Sequence, residues 1–364
     1  MSAANRVPAM VRCPTCADEY VWPTDSTISL YDEEKSNYQL VDVSSLPLAK
    51  QADLARHGYR RCLNPSGDAP PHYLPATYGD YQRPLVIGLV GAPASGKTHF
   101  LTAMIRQAYQ RGLQAHGVTV AALDFRRHGD FRQRYIEKFE KGGQLPGTEW
   151  GVVEAADILL VRGPGGERPV TFFDVAGEDL QSTVARNLAT RFLVGADAVI
   201  FVCASEDPLD TGNAGVPSEN RSFDLAVERL RNLPGGAERL PAAIAVTKAD
   251  RLRYVPPADR WLRVGEDLPL DAARMRDESR DVYAYLHQVG ATASLRPFDV
   301  FSRCTLHFVS ASGGDAVPTD PDDETSARCF PHGIRPTRVL EPLVAILAMT
   351  GVITGPEAQK VGMP

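Results

Sequence analysis

The stretch Gly91-Ala92-Pro93-Ala94-Ser95-Gly96-Lys97-Thr98 sets glycines, a lysine and a hydroxyl at the spacing GxxxxGK[ST]. Those residue types at that spacing suit a polyphosphate. Gly91 and Gly96 permit a tight turn that points successive N–H groups inward, with Ala94 and Ser95 between them, and the following helix adds its partly positive N-terminus. Lys97 can reach the β- and γ-oxygens as a mobile point charge, Thr98 is placed to ligate Mg²⁺, and His99 stands next at the helix start among the nucleotide-binding candidates. The elements that must position this loop are also legible. The apolar run at 85–90 reads as a buried strand, and 100–105 opens a helix. The alternative, a chance glycine-rich turn, does not explain both flanks.

Three further segments end apolar runs with polar residues of defined type. Thr171-Phe172-Phe173-Asp174-Val175-Ala176-Gly177-Glu178 contains DxxG, in which Asp174 would hold Mg²⁺ through water and the Gly177 N–H would meet a γ-phosphate. An almost purely apolar run at 197–203 suits a central parallel strand covered on both faces. The run at 242–246 leads into Thr247-Lys248-Ala249-Asp250, which resembles the [NT]KxD element of GTPases. A carboxylate such as Asp250 can accept two hydrogen bonds from guanine N1–H and the N2 amino group, which adenine does not offer, so the element implies GTP over ATP. Lastly, 305–309 runs into Ser310-Ala311-Ser312, resembling the loop whose backbone N–H meets guanine O6.

Four motifs in this order, each at the carboxyl end of an apolar strand, resemble a P-loop GTPase of the translation-factor and Ras-like (TRAFAC) class over roughly residues 84–350. With the Cys-Pro-x-Cys segment in front, their wording is similar, more narrowly, to the bacterial double-GTPase type 2 family associated with conflict and signalling gene clusters. The resemblance implies an α/β fold, a P-loop NTPase sheet that is mostly parallel and flanked by helices, and a switch that binds GTP or GDP with Mg²⁺ and hydrolyses GTP. It implies as partners a protein effector or a companion GTPase. It assigns catalytic roles to Lys97, Thr148, Gly177 and Glu178. Glu178 stands where many relatives carry the Gln that orients the attacking water, and a carboxylate beside a γ-phosphate implies slow intrinsic hydrolysis. A scaffold that binds guanine nucleotide without turnover is the alternative function, and an ATPase is a third.

The residue that closes over the γ-phosphate is open to two readings. Thr148 lies in a Gly/Pro-rich stretch and is preferred, while Thr119 sits in an alternating, strand-like run at 118–123. A basic-acidic helix is predicted at 126–141. Arg126, Arg127, Arg132, Arg134, Arg186 and Arg191 lie near the switch segments, and none is singled out as catalytic.

Residues 1–75 have another character and read as a small N-terminal module resembling a degenerate zinc ribbon, ahead of a GTPase domain at 76–364. Cys13 and Cys16 form a CPxC turn, and Cys62 with Leu63-Asn64-Pro65 resembles half of a second one. Zinc wants four N or S ligands, and His72 or His57 would be the fourth, with His72 preferred. A metal-free remnant is the competing reading. Cys203 and Cys304 are predicted core thiols, and Cys329 a loop residue.

A chain of 364 residues with 43% hydrophobic and 23% charged residues is ordinary for a globular fold. The net charge of −6 gives no support for nonspecific nucleic-acid binding. No apolar signal region opens the chain and no run spans a membrane, so a cytoplasmic protein is expected. The apolar segment at 339–349 recurs at helical spacing and is read as a final helix on the sheet. The segments 205–220 and 315–338, rich in Pro, Gly and Asp, are expected to be long loops on the nucleotide side of the sheet.

Overall fold

The computed structural model describes residues 9–67, 69–110, 112–146, 155–176, 193, 195–205, 221–232, 236–265, 268–323 and 325–363. The N-terminal part holds a short hairpin, β1 (Met10–Arg12) with β2 (Glu19–Val21). A four-stranded antiparallel sheet follows, formed by β3 (Thr27–Asp32), β4 (Asn37–Asp42), β5 (Tyr59–Arg61) and β6 (Tyr73–Pro75) in the order β4-β3-β5-β6. Helix α1 (Leu48–His57) connects β4 to β5.

The larger part is a seven-stranded sheet of order β13-β12-β11-β7-β10-β9-β8. Its strands are β7 (Leu85–Gly91), β8 (Thr119–Ala122), β9 (Ala155–Gly163), β10 (Gly166–Ala176), β11 (Ala198–Ala204), β12 (Ala242–Thr247) and β13 (Cys304–Phe308). Pairings from β13 through β10 are parallel, and only β9 runs against its neighbours. The mixed α/β, mostly parallel architecture read from the sequence is therefore present.

Burial on both faces explains the continuous apolar runs. Ile87, Leu89, Ile200, Val202, Ala243 and Ala245 point to one core with helices α2 (Lys97–Tyr109) and α6 (Glu341–Met349). The alternate residues Val90, Val199, Phe201, Ile244 and Val246 point to a second core with α4 (Arg221–Arg231) and α5 (Ala272–Gln288). Helix α3 (Phe125–Phe131) begins the predicted helical segment, which continues through Glu140 with a π turn at Arg132–Ile136. Two small strands, β14 (Val317–Pro318) and β15 (Arg328–Cys329), pair within the segment expected to be a loop.

The N-terminal part packs on the sheet. Cys13, Cys16, Trp22, Cys62, Leu74 and Tyr78 share one apolar cluster with Ile158 and Leu160 of β9. Arg12 donates to the Gly195 carbonyl, and Arg12 and Arg83 both approach Asp197 just ahead of β11, at 3.9 and 3.7 Å.

The outer edge of β13 is closed by groups from outside the sheet. Cys304 N–H donates to the Gly362 carbonyl, Leu306 N–H to Ser279 Oγ at 3.0 Å, and Phe308 N–H to Glu278 Oε1 at 3.2 Å. Helix α5 thus satisfies an edge that would otherwise present free donors.

Candidate functional site

The Gly91–Thr98 segment forms a tight turn between a strand and a helix. Strand β7 is buried along its whole length and ends at Gly91, where an added Cβ would lie 2.5 Å from the Val202 carbonyl. Ala94 and Gly96 adopt positive φ (61° and 80°), and Gly96 caps α2, so the loop opens directly onto a helix N-terminus. Ser95 Oγ is buried without a hydrogen-bond partner among the described residues. Lys97 is buried and its Nζ lies 3.0 Å from Asp174 Oδ1, the first residue of DxxG.

The Thr247–Asp250 and Ser310–Ser312 segments meet this loop. Thr247 Oγ1 donates to the Ser95 carbonyl and lies 3.1 Å from the Cys203 carbonyl, tying the end of β12 to the phosphate loop. Lys248 is held in the left-handed region at φ 54°, and Ser205 Oγ donates to its carbonyl at 2.9 Å. Burial, with the Arg251 charge nearby, lowers the Lys248 ammonium below its ordinary value. Ser310 Oγ donates to Asp250 Oδ1 at 2.5 Å and accepts from Gly313 N–H at 3.0 Å. One cavity of about 690 Å³ is lined by residues 92–99, by Thr247, Lys248, Asp250 and Arg251, and by Ala311, Ser312 and Asp315. Its size is that of a small-molecule site.

His99 lines the cavity but also turns to the protein. Its Nε2 accepts from Leu145 N–H at 3.1 Å, and its ring stands edge-on to Phe139 and Phe330. Burial, reinforced by the Lys248 and Lys138 charges, lowers its pKa to about 4, so the imidazole is neutral and can accept.

The segment after Ser312 is not a free loop. Arg251 pairs with Asp315 at 2.7 Å, Phe330 N–H donates to the Gly142 carbonyl, and Ser310 and Thr337 exchange both backbone hydrogen bonds. Sequence reading missed this strap because its contacts join residues far apart and follow no local period. The other predicted loop, 205–220, lies outside the described residues beyond Ser205.

Thr148, Gly177 and Glu178 lie outside the described residues, as do Arg186 and Arg191. Thr119 opens β8 and does not line the cavity. Arg126 stacks over Tyr31 at 4.2 Å, Arg127 approaches Asp124 at 3.7 Å and Arg132 approaches Glu137 at 3.6 Å. None of these arginines, nor Arg134, lines the cavity.

A second cluster lies in the N-terminal part. The ligand atoms of Cys13, Cys16, Cys62 and His72 all fall within 4.8 Å of one another. Cys16 Sγ and Cys62 Sγ are 3.7 Å apart, and Cys13 Sγ and His72 Nε2 3.1 Å. Two thiolates on one tetrahedral zinc, with Zn–S of about 2.3 Å, would stand about 3.8 Å apart, so the spacing fits. His72 Nδ1 is 2.8 Å from the Pro70 carbonyl, which leaves Nε2 to the cluster. Thr15 N–H and Asn64 N–H point at Cys13 Sγ and Cys62 Sγ at 3.3 and 3.4 Å, so both turns solvate a thiolate. Burial pushes the Cys13 thiol up to about 12, whereas hydrogen bonds from Cys13 and Cys16 draw Cys62 down. His57 lies elsewhere, its ring 5.6 Å from Phe125. Cys203 and Cys304 are buried in β11 and β13, and Cys329 is partly exposed in β15.

No protein-family model matches the chain, and no curated protein does. Among solved structures the chain is similar to a bacterial selenocysteine-specific elongation factor, at 14% identity and a TM-score of 0.25. That match covers 62% of this chain and 25% of the other, so the chain spans about a quarter of that protein's length. No helix among the described residues is long and apolar enough to cross a membrane.

Proposed function

We propose that this chain is a GTP-binding switch that hydrolyses GTP slowly. The observation that carries the reading is the convergence of the Gly91–Thr98 loop, the Thr247–Asp250 segment and the Ser310–Ser312 loop on one cavity. Backbone N–H groups of the loop and Lys97 would hold the phosphates. Their charge would draw Lys97 away from Asp174, with which it pairs at 3.0 Å. Asp174 and Thr98 would hold Mg²⁺, which supplies charge neutralisation across the β- and γ-oxygens. Asp250, oriented by the Ser310 hydroxyl, would accept from guanine N1–H and N2, and the N–H groups of the 310–312 loop would meet O6.

In this reading Gly177 senses the γ-phosphate, Thr148 closes over it, and Glu178 keeps intrinsic hydrolysis slow. Cys13, Cys16, Cys62 and His72 hold a structural zinc. The setting is the cytoplasm of a bacterium, in a conflict or signalling system, with an effector or a companion GTPase as partner. The sequence motifs support these finer assignments.

The test is calorimetric titration of nucleotide-free protein with GTP, GDP and ATP in Mg²⁺. Guanine-selective binding that disappears in Lys97→Ala is expected, and preference for ATP would overturn the reading. Glu178 in place of a water-orienting Gln favours one second reading, a guanine-nucleotide-dependent scaffold without turnover. Single-turnover assays separate the two, since the scaffold releases no phosphate.

A further inference from the structure

A buried group of charges stands behind the segment assigned to the base. Glu278 of α5, His307 of β13 and Arg338 of the strap are each at most 2% exposed. Glu278 Oε2 lies 2.9 Å from His307 Nδ1 and accepts from Arg338 Nη2 at 2.6 Å, and Oε1 accepts from Phe308 N–H at 3.2 Å. Arg338 Nη1 also approaches Glu341 Oε1 at 3.4 Å, at the first residue of α6. Although burial raises the Glu278 carboxyl, the His307 and Arg338 charges outweigh it and hold the group below its ordinary value. It is a carboxylate under ordinary conditions.

The two residues that converge on this carboxylate flank Ser310 from both chain directions. His307 lies three positions ahead of it in β13. Arg338 directly follows Thr337, whose N–H and carbonyl pair with Ser310 at 2.8 and 3.0 Å. Ser310 in turn donates to Asp250, and Arg335 N–H donates to the Ser312 carbonyl at 2.7 Å. Arg338 holds φ at 59°, a left-handed backbone that a non-glycine residue keeps only where its surroundings impose it. One carboxylate thus fastens the strand entering the base loop and the strap that braces it from outside.

A buried charged group of this kind is a poor way to gain stability, because apolar residues of similar volume commonly serve as well. What it supplies is a fixed geometry, since each bond has one direction and one length. We infer that Glu278, His307 and Arg338 are positioning residues for base recognition, setting Ser310 and through it the Asp250 carboxylate. The inference rests on the guanine reading proposed above.

The test compares wild type with Glu278→Met/Arg338→Met, which removes both members of the buried Glu278–Arg338 pair together. Affinities are measured for GDP, for inosine diphosphate, which lacks the N2 amino group, and for ADP, alongside the unfolding temperature. The expected result is a folded variant in which GDP binding falls about tenfold or more and the GDP-to-inosine preference collapses toward one, with ADP binding unchanged. A folded variant that keeps the full GDP-to-inosine ratio overturns the inference while the guanine reading stands. A wild type that binds ADP as tightly as GDP overturns both. Should the double variant not fold, Arg338→Lys keeps the charge, loses the two-sided reach, and is read by the same ratio.

Discussion

The cavity beside the Gly91–Thr98 loop and the Cys-His cluster are both built from residues distant in sequence, yet they differ in how their polar groups are partnered. In the cavity the lysine has a carboxylate, Thr247 has two carbonyls, and Asp250 has the Ser310 hydroxyl. These polar groups are partnered before a ligand arrives, whereas the buried Ser95 hydroxyl has no partner among the described residues. In the cluster three thiols and an imidazole, their ligand atoms all within 4.8 Å, face one another around a common point. The contrast teaches where ligand binding and folding are one process and where they are separate.

Removing metal is the strongest way to test that contrast. A structural zinc in a cluster of this kind is worth ~10–16 kcal/mol of apparent binding energy, and this one adjoins the apolar contact between the N-terminal part and β9. Metal analysis is expected to find one zinc per chain. Chelation or Cys62→Ser should lower the unfolding temperature by ~10 °C or more and expose the first 75 residues to protease. An unchanged melting curve would erase the distinction between the two sites.

Lys97→Ala should do the reverse. In the proposed reading it removes the charge that meets the phosphates, so nucleotide affinity should fall ~100-fold or more, while the melting temperature of the nucleotide-free protein moves by only a few degrees. A variant that unfolds instead would place Lys97 with the structural groups. Asp250→Asn sharpens the comparison within the cavity. The amide still accepts from Ser310 but offers a donor where guanine does, so the preference should move from guanine toward xanthine, with GDP weakened ~10–100-fold in titration.

The last effect is an acid one at His99, read only as a pH dependence of stability. Its folded pKa of about 4 lies below the ordinary value of 6.5, so the unfolded chain binds the extra proton between them. Stability from this residue is full above pH ~6.5, falls as pH drops toward 4, and is constant below, a change of at most ~3 kcal/mol. Chemical unfolding across that range should be steeper for wild type than for His99→Gln, which keeps an acceptor for Leu145 N–H and does not titrate.

What the sequence disclosed and what it withheld follow from the range of the interactions. The Gly91–Thr98 turn was readable because eight adjacent residues link a strand to a helix, and the turn's demands for glycine are local. The sheet was readable because burial on both faces leaves runs such as 198–203 without polar interruption. Cys13 and Cys16 announced themselves as a pair and His72 was the preferred fourth ligand, but that it meets them follows only from the pairing of β5 with β6, which brings Tyr73 beside Arg61. Glu278 and Arg338 carried no signal. A glutamate on a helix and an arginine in a proline-rich stretch look like surface residues, and only the approach of segments 60 positions apart makes them a buried pair.

The closing of β13 by Ser279, Glu278 and Gly362 has a consequence for how copies of this chain could join. A sheet grows by adding strands at a free rim, and on this side the rim's outward donors are already engaged. At the other border, β8, four residues long, pairs among the described residues with β9 alone. Polymerisation by strand addition is therefore directional here: it is blocked at one border, and at the other it has only a short template.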